Sequence, residues 1–249
     1  MAATGRGDVK RENEVNDATH TTGAPQDCDG TRAVTGDVNF ATGENHPGGV
    51  QADDNGCRAC HQSSGGEFDG SIQGAHTIPI KSKQLKGLTA SIVGVDHVGP
   101  GEKPTVTFSI KNGDGTSIDG TKLATFAPIL AGPTRSYSSY WRENGVASGN
   151  TPGTFDAAAG TTSYTYAHAI PANAAGTWTM SADVSRNVTL KRADGKPDFV
   201  VREAAFNPVK YFAVTGPLAP RRAAVAVANC NVCHDTLALH GGQRRNVEE

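Results

Sequence analysis

Two stretches, Leu88-Thr89-Ala90-Ser91-Ile92-Val93 and Thr105-Val106-Thr107-Phe108-Ser109-Ile110, alternate apolar and polar side chains. That is the period of a half-buried strand, whose successive side chains face opposite ways. Asn112-Gly113-Asp114-Gly115 follows the second as a turn. Further strand signals lie at 124–130, 136–141, 162–168, 177–184, 187–191 and 211–215. Seven or eight short strands separated by Gly, Pro, Asn and Asp turns predict a mainly β domain, a β-sandwich or small barrel, over residues 87–216. Both tryptophans and all five tyrosines fall inside it, so the conventional core is expected there.

Outside that region the alternation stops. Residues 1–56 hold no Leu, Ile, Tyr or Trp, and their ten acids face four bases. Such a segment buries too little apolar surface to offset its ordering entropy. An irregular polar arm is expected, unless a cofactor orders it. The stretches 67–74 and beyond His234 read as loops with single helical turns.

Composition sharpens the contrast. Leu, Ile, Val and Phe together make 44 of 249 residues, while glycine alone makes 30. A formal charge of −2 argues against wholesale disorder, so the chain is expected either to leave a part of itself unfolded or to build its core from something other than aliphatic side chains. The same near-neutrality argues against nucleic-acid binding, which needs a concentrated basic surface. No stretch approaches the roughly 18 apolar residues of a membrane span, so no transmembrane segment is expected.

The five cysteines supply a candidate for the missing core. Four form Cys57-Arg58-Ala59-Cys60-His61 and Cys230-Asn231-Val232-Cys233-His234, the attachment pattern of c-type haem. Two thiols three positions apart reach the vinyl groups on one porphyrin edge, and the following histidine ligates the iron. Cys57, Cys60, Cys230 and Cys233 are therefore the expected thioether residues, with His61 and His234 as proximal iron ligands and haem c as the cofactor. A four-cysteine metal site, a redox dithiol and structural disulfides are the alternatives. The first gives no reason for a histidine after both pairs, and the second wants a strand–helix context. Cys28 is preceded at three positions by Pro25 and followed by Asp29, so it cannot hold haem by this chemistry.

Methionine is scarce, and Met180 beside Trp178 reads as core, so a second histidine is the expected distal ligand. His76, 15 residues after His61, has chain enough to loop round a haem edge. His240, six residues after His234, is too close to straddle the same ring and would serve another haem. His46 and His20 in the polar arm are weaker candidates. His97 sits in a turn, and His168 is expected to share a strand face with Tyr164 and Tyr166. Covalent haem attachment takes place on the export side of a membrane, which places the protein outside the cytoplasm. The N-terminus lacks a signal peptide's apolar core and the C-terminus lacks a helix stop. The expectation is a leader already removed, or an internal piece of a longer chain truncated within a second haem domain.

Gly74-Ala75-His76-Thr77-Ile78-Pro79-Ile80-Lys81 and on to Leu88, together with Cys230 through Gly242, resemble the OmcA/MtrC family of outer-surface multihaem c-type cytochromes. The resemblance spans roughly residues 57–249. It implies Greek-key or split-barrel β domains alternating with loop-rich domains of stacked, bis-histidine haems. It implies electron conduction out of a cell, with other multihaem cytochromes or an outer-membrane conduit as partners and metal oxides or soluble shuttles as extracellular acceptors. It matches His76 and His240 to axial positions. The family carries about ten haems, against two motifs in this chain.

The expected organisation is a polar arm (1–56), a haem-binding segment (57–86), a β-sandwich or split barrel (87–216) and the start of a second haem-binding domain (217–249). The expected function is outer-sphere electron transfer at the outer-membrane surface or in the periplasm, by an electron carrier rather than an enzyme with a substrate pocket. A structural β domain with vestigial haem sites, or a cysteine-ligated metal protein, is the alternative.

Overall fold

In the computed structural model the described residues are 38–46, 48–53, 55–59, 61–149, 151–192, 198–234 and 236–248. They fall into two units, Met1–Cys60 and His61–Glu249. In the first, Asn39 Oδ1 accepts from the N–H groups of Ala41 (3.0 Å) and Thr42 (3.2 Å), closing a turn that brings Asn39 opposite Glu44.

The second unit is built on two antiparallel sheets. The alternating stretches found in the sequence become β1 (Leu88–Asp96) and β2 (Thr105–Asn112), paired with Leu88 opposite Asn112 and a bulge between Ile92 and Gly94. The chain then crosses to the other sheet for β3 (Thr125–Gly132) and β4 (Ser139–Arg142), and returns for β5 (Thr154–Asp156) and β6 (Thr161–Thr165). It crosses once more into β7 (Thr177–Leu190), β8 (Phe199–Ala204) and β9 (Val209–Ala213). The first sheet runs β1-β2-β6-β5. The second runs β4-β3-β7-β8, with β9 also on β7.

Their inner faces make one core. Val106, Phe108 and Ile110 of β2 meet Phe126 and Leu130 of β3 and Trp178, Met180 and Val184 of β7, all buried. Phe126 stands edge-on to Phe108 (5.2 Å) and to Tyr164 (6.5 Å). Burying side chains of this size stabilises the fold by about 1.5–3 kcal/mol each. Gly132 lets Trp178 lie flat on β3, because a Cβ there would come within 2.2 Å of the indole. Arg186 ties the sheets together at one end, reaching Glu203 Oε2 (2.6 Å), Asn112 Oδ1 (2.6 Å) and the Gly87 carbonyl (3.1 Å).

The mainly β sandwich agrees with the sequence reading, with four local differences. The stretches 177–184 and 187–191 are one continuous 14-residue strand, because β9 pairs with its first half and β8 with its second. β8 itself gave no clear signal: Val200 is 67% exposed, and Phe199 is held from outside the sandwich by Phe68 (5.1 Å). β5, with three residues, is too short to show a period. Finally, β6 stops at Thr165, where Glu143 takes the N–H groups of Ala167 (2.8 Å) and His168 (3.1 Å) out of the ladder. His168 therefore does not share a strand face with Tyr164; it is exposed, on a bend beyond the strand.

Candidate haem-attachment sites

In the first unit Cys57 opens a single 3-10 turn, Cys57–Ala59, and is a half-buried free thiol. Its partner Cys60 lies outside the described residues, as do His20 and Cys28. His46 is half-buried, with Nδ1 2.8 Å from the Gly49 carbonyl and its ring edge-on to Phe40 at 5.2 Å.

His61, exposed, begins the second unit, and the loop after it is held by its own polar groups. Asp69 accepts from the N–H groups of Gly66 (2.5 Å) and Ser71 (2.9 Å) and from the Ser71 hydroxyl. Ser71 caps the one-turn helix α1 (Ile72–Ala75) by accepting from Gly74 N–H (2.9 Å). Glu67 takes the Ser82 hydroxyl (2.6 Å) and Lys83 N–H (2.7 Å), which hold its carboxyl below the ordinary range. Gln84 fastens the loop to the sandwich through Lys191, donating to its carbonyl (2.8 Å) and accepting from its N–H (2.7 Å).

This frame ends α1 at His76, which is exposed, with Nδ1 2.7 Å from the Ile72 carbonyl. A carbonyl only accepts, so Nδ1 is the donor here and Nε2 is the nitrogen left uncommitted by this contact. A histidine oriented by a backbone carbonyl through one nitrogen is prepared to ligate through the other. His46 shares the arrangement through Gly49.

The second motif lies on α2 (Val227–His234). Cys230 and Cys233 are free thiols, half-buried and exposed respectively, and one helical turn puts them on the same face. His234 is the last residue of the helix. Asn231 Oδ1 accepts from Leu237 N–H at 2.7 Å and folds the following chain back. His240 is exposed, in the left-handed region (φ 51°), at the tip of a turn closed by Leu239 N–H on the Arg244 carbonyl (2.8 Å). His97 is exposed after β1. The Nδ1 of His168 is 2.6 Å from Glu143 Oε1, and its ring stacks on Trp141 at 5.7 Å. Met180 is fully buried in the core.

Among the described residues no group of three or more His, Cys, Asp or Glu side chains stands together as a metal site. Haem c asks for something different: a thiol pair, a histidine and apolar surface to cover the ring. Apolar side chains are left uncovered in the chain after the first motif and around the second, as they also are at Val93, Val200 and Phe206. Ile72, Ile78 and Ile80 in one segment and Leu218, Val225 and Val232 in the other are each more than half exposed. Free thiols in segments that also expose apolar side chains fit the group.

Sequence reasoning missed the buried acids: Glu203, which holds Arg186, and two that each gather several donors. Glu143 accepts from Tyr164 Oη (2.5 Å) as well as from the 167–168 backbone and His168. Burial alone would raise its carboxyl, but these hydrogen bonds together hold it below the ordinary range. Asp183, on the outer face of β7, joins Arg142, Asn207 and Arg244. Its signal was available: it is the only charge in the run 177–185, and a charge buried there has to be paired.

The class defined by these features is a two-sheet antiparallel β-sandwich with cysteine-bearing, loop-rich segments before and after it. The crystal structure of MtrC from Shewanella baltica has this fold: TM-score 0.58 at 18% identity, over 82% of this chain and 36% of that one. That of the outer membrane decahaem cytochrome OmcA aligns at a TM-score of 0.45 and 15% identity, over 84% of this chain and 34% of that one. The chain thus spans about a third of the length of either. No protein-family model and no curated protein matches it. No helix among the described residues is long and apolar enough to cross a membrane.

Proposed function

We propose that this chain is part of a multihaem c-type cytochrome that transfers electrons by an outer-sphere route. Cys57 with Cys60, and Cys230 with Cys233, would hold one haem c each, with His61 and His234 as proximal ligands. His76 and His240 are the candidate distal ligands, and His46 a weaker one. The segments 57–86 and 217–249, before and after the sandwich in the sequence, would then be haem-binding. The observation that carries this reading is the pair of C-x-x-C-H motifs, one before and one after a β domain with the MtrC fold. Bound haem supplies an iron that cycles between ferric and ferrous states. The chain's own residues ligate it, cover its faces and set its potential through nearby charge. Other multihaem cytochromes or an outer-membrane conduit are the proposed partners, extracellular acceptors such as metal oxides the proposed sink, and the cell's outer surface the proposed location.

A pyridine haemochrome spectrum with intact mass tests the reading on chain produced where haem c is attached. Two covalent haems are expected; none would sink it. A metal-bound, haem-free chain would instead favour a cysteine-ligated metal protein.

A further inference from the structure

The outer face of the second sheet is spanned by a strap. Residues 215–226 are exposed without a break. Before α2 the strap is pinned where Ala219 N–H donates to Thr177 Oγ1 (2.7 Å) and the Ala219 carbonyl accepts from Thr134 Oγ1 (3.2 Å). After α2 it is pinned where Arg244 Nη2 donates to Tyr140 Oη (3.1 Å) and Arg245 N–H to Asn207 Oδ1 (2.7 Å). Both anchors lie against the second sheet, and the helix carrying Cys230 and Cys233 sits between them.

Between strap and sheet the fold leaves a cavity of about 460 Å³, within the range of small-molecule and cofactor sites. β3 and β7 supply its floor; Tyr137, Tyr140 and Tyr211 wall it, and Arg221 and Arg222 stand at its edge with Glu248. Arg221 already lies over the Tyr137 ring at 5.1 Å. Burial, then the charges around Tyr137 and Glu248, push the Tyr211 phenol up to about 12, so it remains a neutral donor. A second hollow of about 260 Å³ shares Val225 and Val247 with the first and extends to Val227. Val227 and Cys230 are three positions apart and so on one face of α2. The hollow thus reaches the start of the helix that carries Cys230 and Cys233.

The lining calls for a flat, largely apolar ligand with aromatic-sized faces and anionic groups to meet two guanidinium ions. We propose that the cavity seats the haem attached at Cys230 and Cys233, with Arg221 and Arg222 paired to its propionate carboxylates and the three tyrosines against the ring. The inference rests on the haem reading above. A free planar anion in the cavity is the competing occupant. A fixed cation beside a haem favours the ferrous form, which carries one positive charge fewer, so the two arginines raise that haem's potential.

Two measurements on the full, haem-loaded chain decide this. Potentiometric titration of R221Q/R222Q is expected to lower one of two couples by a three- to tenfold change in ferrous-to-ferric ratio at fixed poise, tenfold being 59 mV for one electron, and to leave the other unmoved. Nitration of Tyr140 and Tyr211 by tetranitromethane is expected to rise severalfold in C230S/C233S. Two attached haems with both couples unshifted in R221Q/R222Q would overturn the proposal. Equal nitration in C230S/C233S and the parent chain would also do so, and would favour a separate ligand or none. Absence of haem from Cys230 and Cys233 in the parent chain defeats the haem reading itself, an outcome the mass spectrum separates from the other two.

Discussion

Arg142 Nε donates to Asp183 Oδ2 across 2.7 Å, and the carboxylate is almost wholly removed from water. Asn207 Nδ2 approaches the other oxygen at 3.4 Å and Arg244 Nε at 3.8 Å. One acid thereby joins β4, β7, the connection from β8 to β9, and the chain beyond α2. Removing it strands Arg142, whose side chain keeps 39% exposure and so recovers part of its hydration. Asp183→Ala is expected to destabilise the fold by about 2–4 kcal/mol, read as a lower urea midpoint.

Phe126 stands between Phe108 and Tyr164, edge-on to both, with no exposed surface. Both neighbouring rings belong to the facing sheet, in β2 and β6, whose pairing keeps them from closing in together. Phe126→Ala is therefore expected to cost about 3–5 kcal/mol, whereas Val200→Ala, at a 67% exposed position, is expected to change stability by less than about 0.5 kcal/mol.

Glu143 has a folded-state pKa below its ordinary value, despite its burial, because Tyr164, Ala167 and His168 donate to the carboxylate. A carboxyl depressed on folding contributes stability that is present above the unfolded-state pKa and lost as pH falls through the folded one. Denaturant titrations from about pH 6 to about pH 3 should show an acid-side loss, and Glu143→Gln should remove that part of it. An unchanged acid limb in the variant would assign the loss to other carboxyls.

Cys57→Ser/Cys60→Ser and Cys230→Ser/Cys233→Ser should each abolish one attachment and leave the other. Each is expected to bring the haemochrome absorbance to about half, with both lost only in the combined variant. Unchanged absorbance in either would place haem elsewhere.

His76 is positioned through Nδ1 by the Ile72 carbonyl. If its Nε2 fills a sixth position, the ferrous parent protein takes up carbon monoxide slowly, and His76→Ala opens one site to rapid binding. Rapid uptake by the parent protein would mean an open iron and remove His76 from the ligand set.

Much of the sandwich was legible because alternation is a local property: each of β1, β2 and the first half of β7 carries its own record of which face is inside. β8 left no such record, since its outer residues stay in water and Phe199 finds Phe68 only after the loop 62–84 has docked. The Glu143 and Asp183 clusters were illegible for a related reason. An acid's sequence neighbours do not say which distant donors will surround it.

The C-x-x-C-H motifs are complete within five residues each, so the sequence alone determined which thiols and histidines are candidates for haem and that aliphatic side chains are too few outside the middle domain. Tertiary structure decided what lies over the polar face of β7, where Thr177, Thr179, Ser181, Asp183 and Ser185 are as buried as the apolar residues between them. Strand period divides residues between two faces. Whether the second face meets water depends on which remote segment covers it, here the strap leading to α2 and the chain returning at Arg244, and that choice exists only once the sheets have packed.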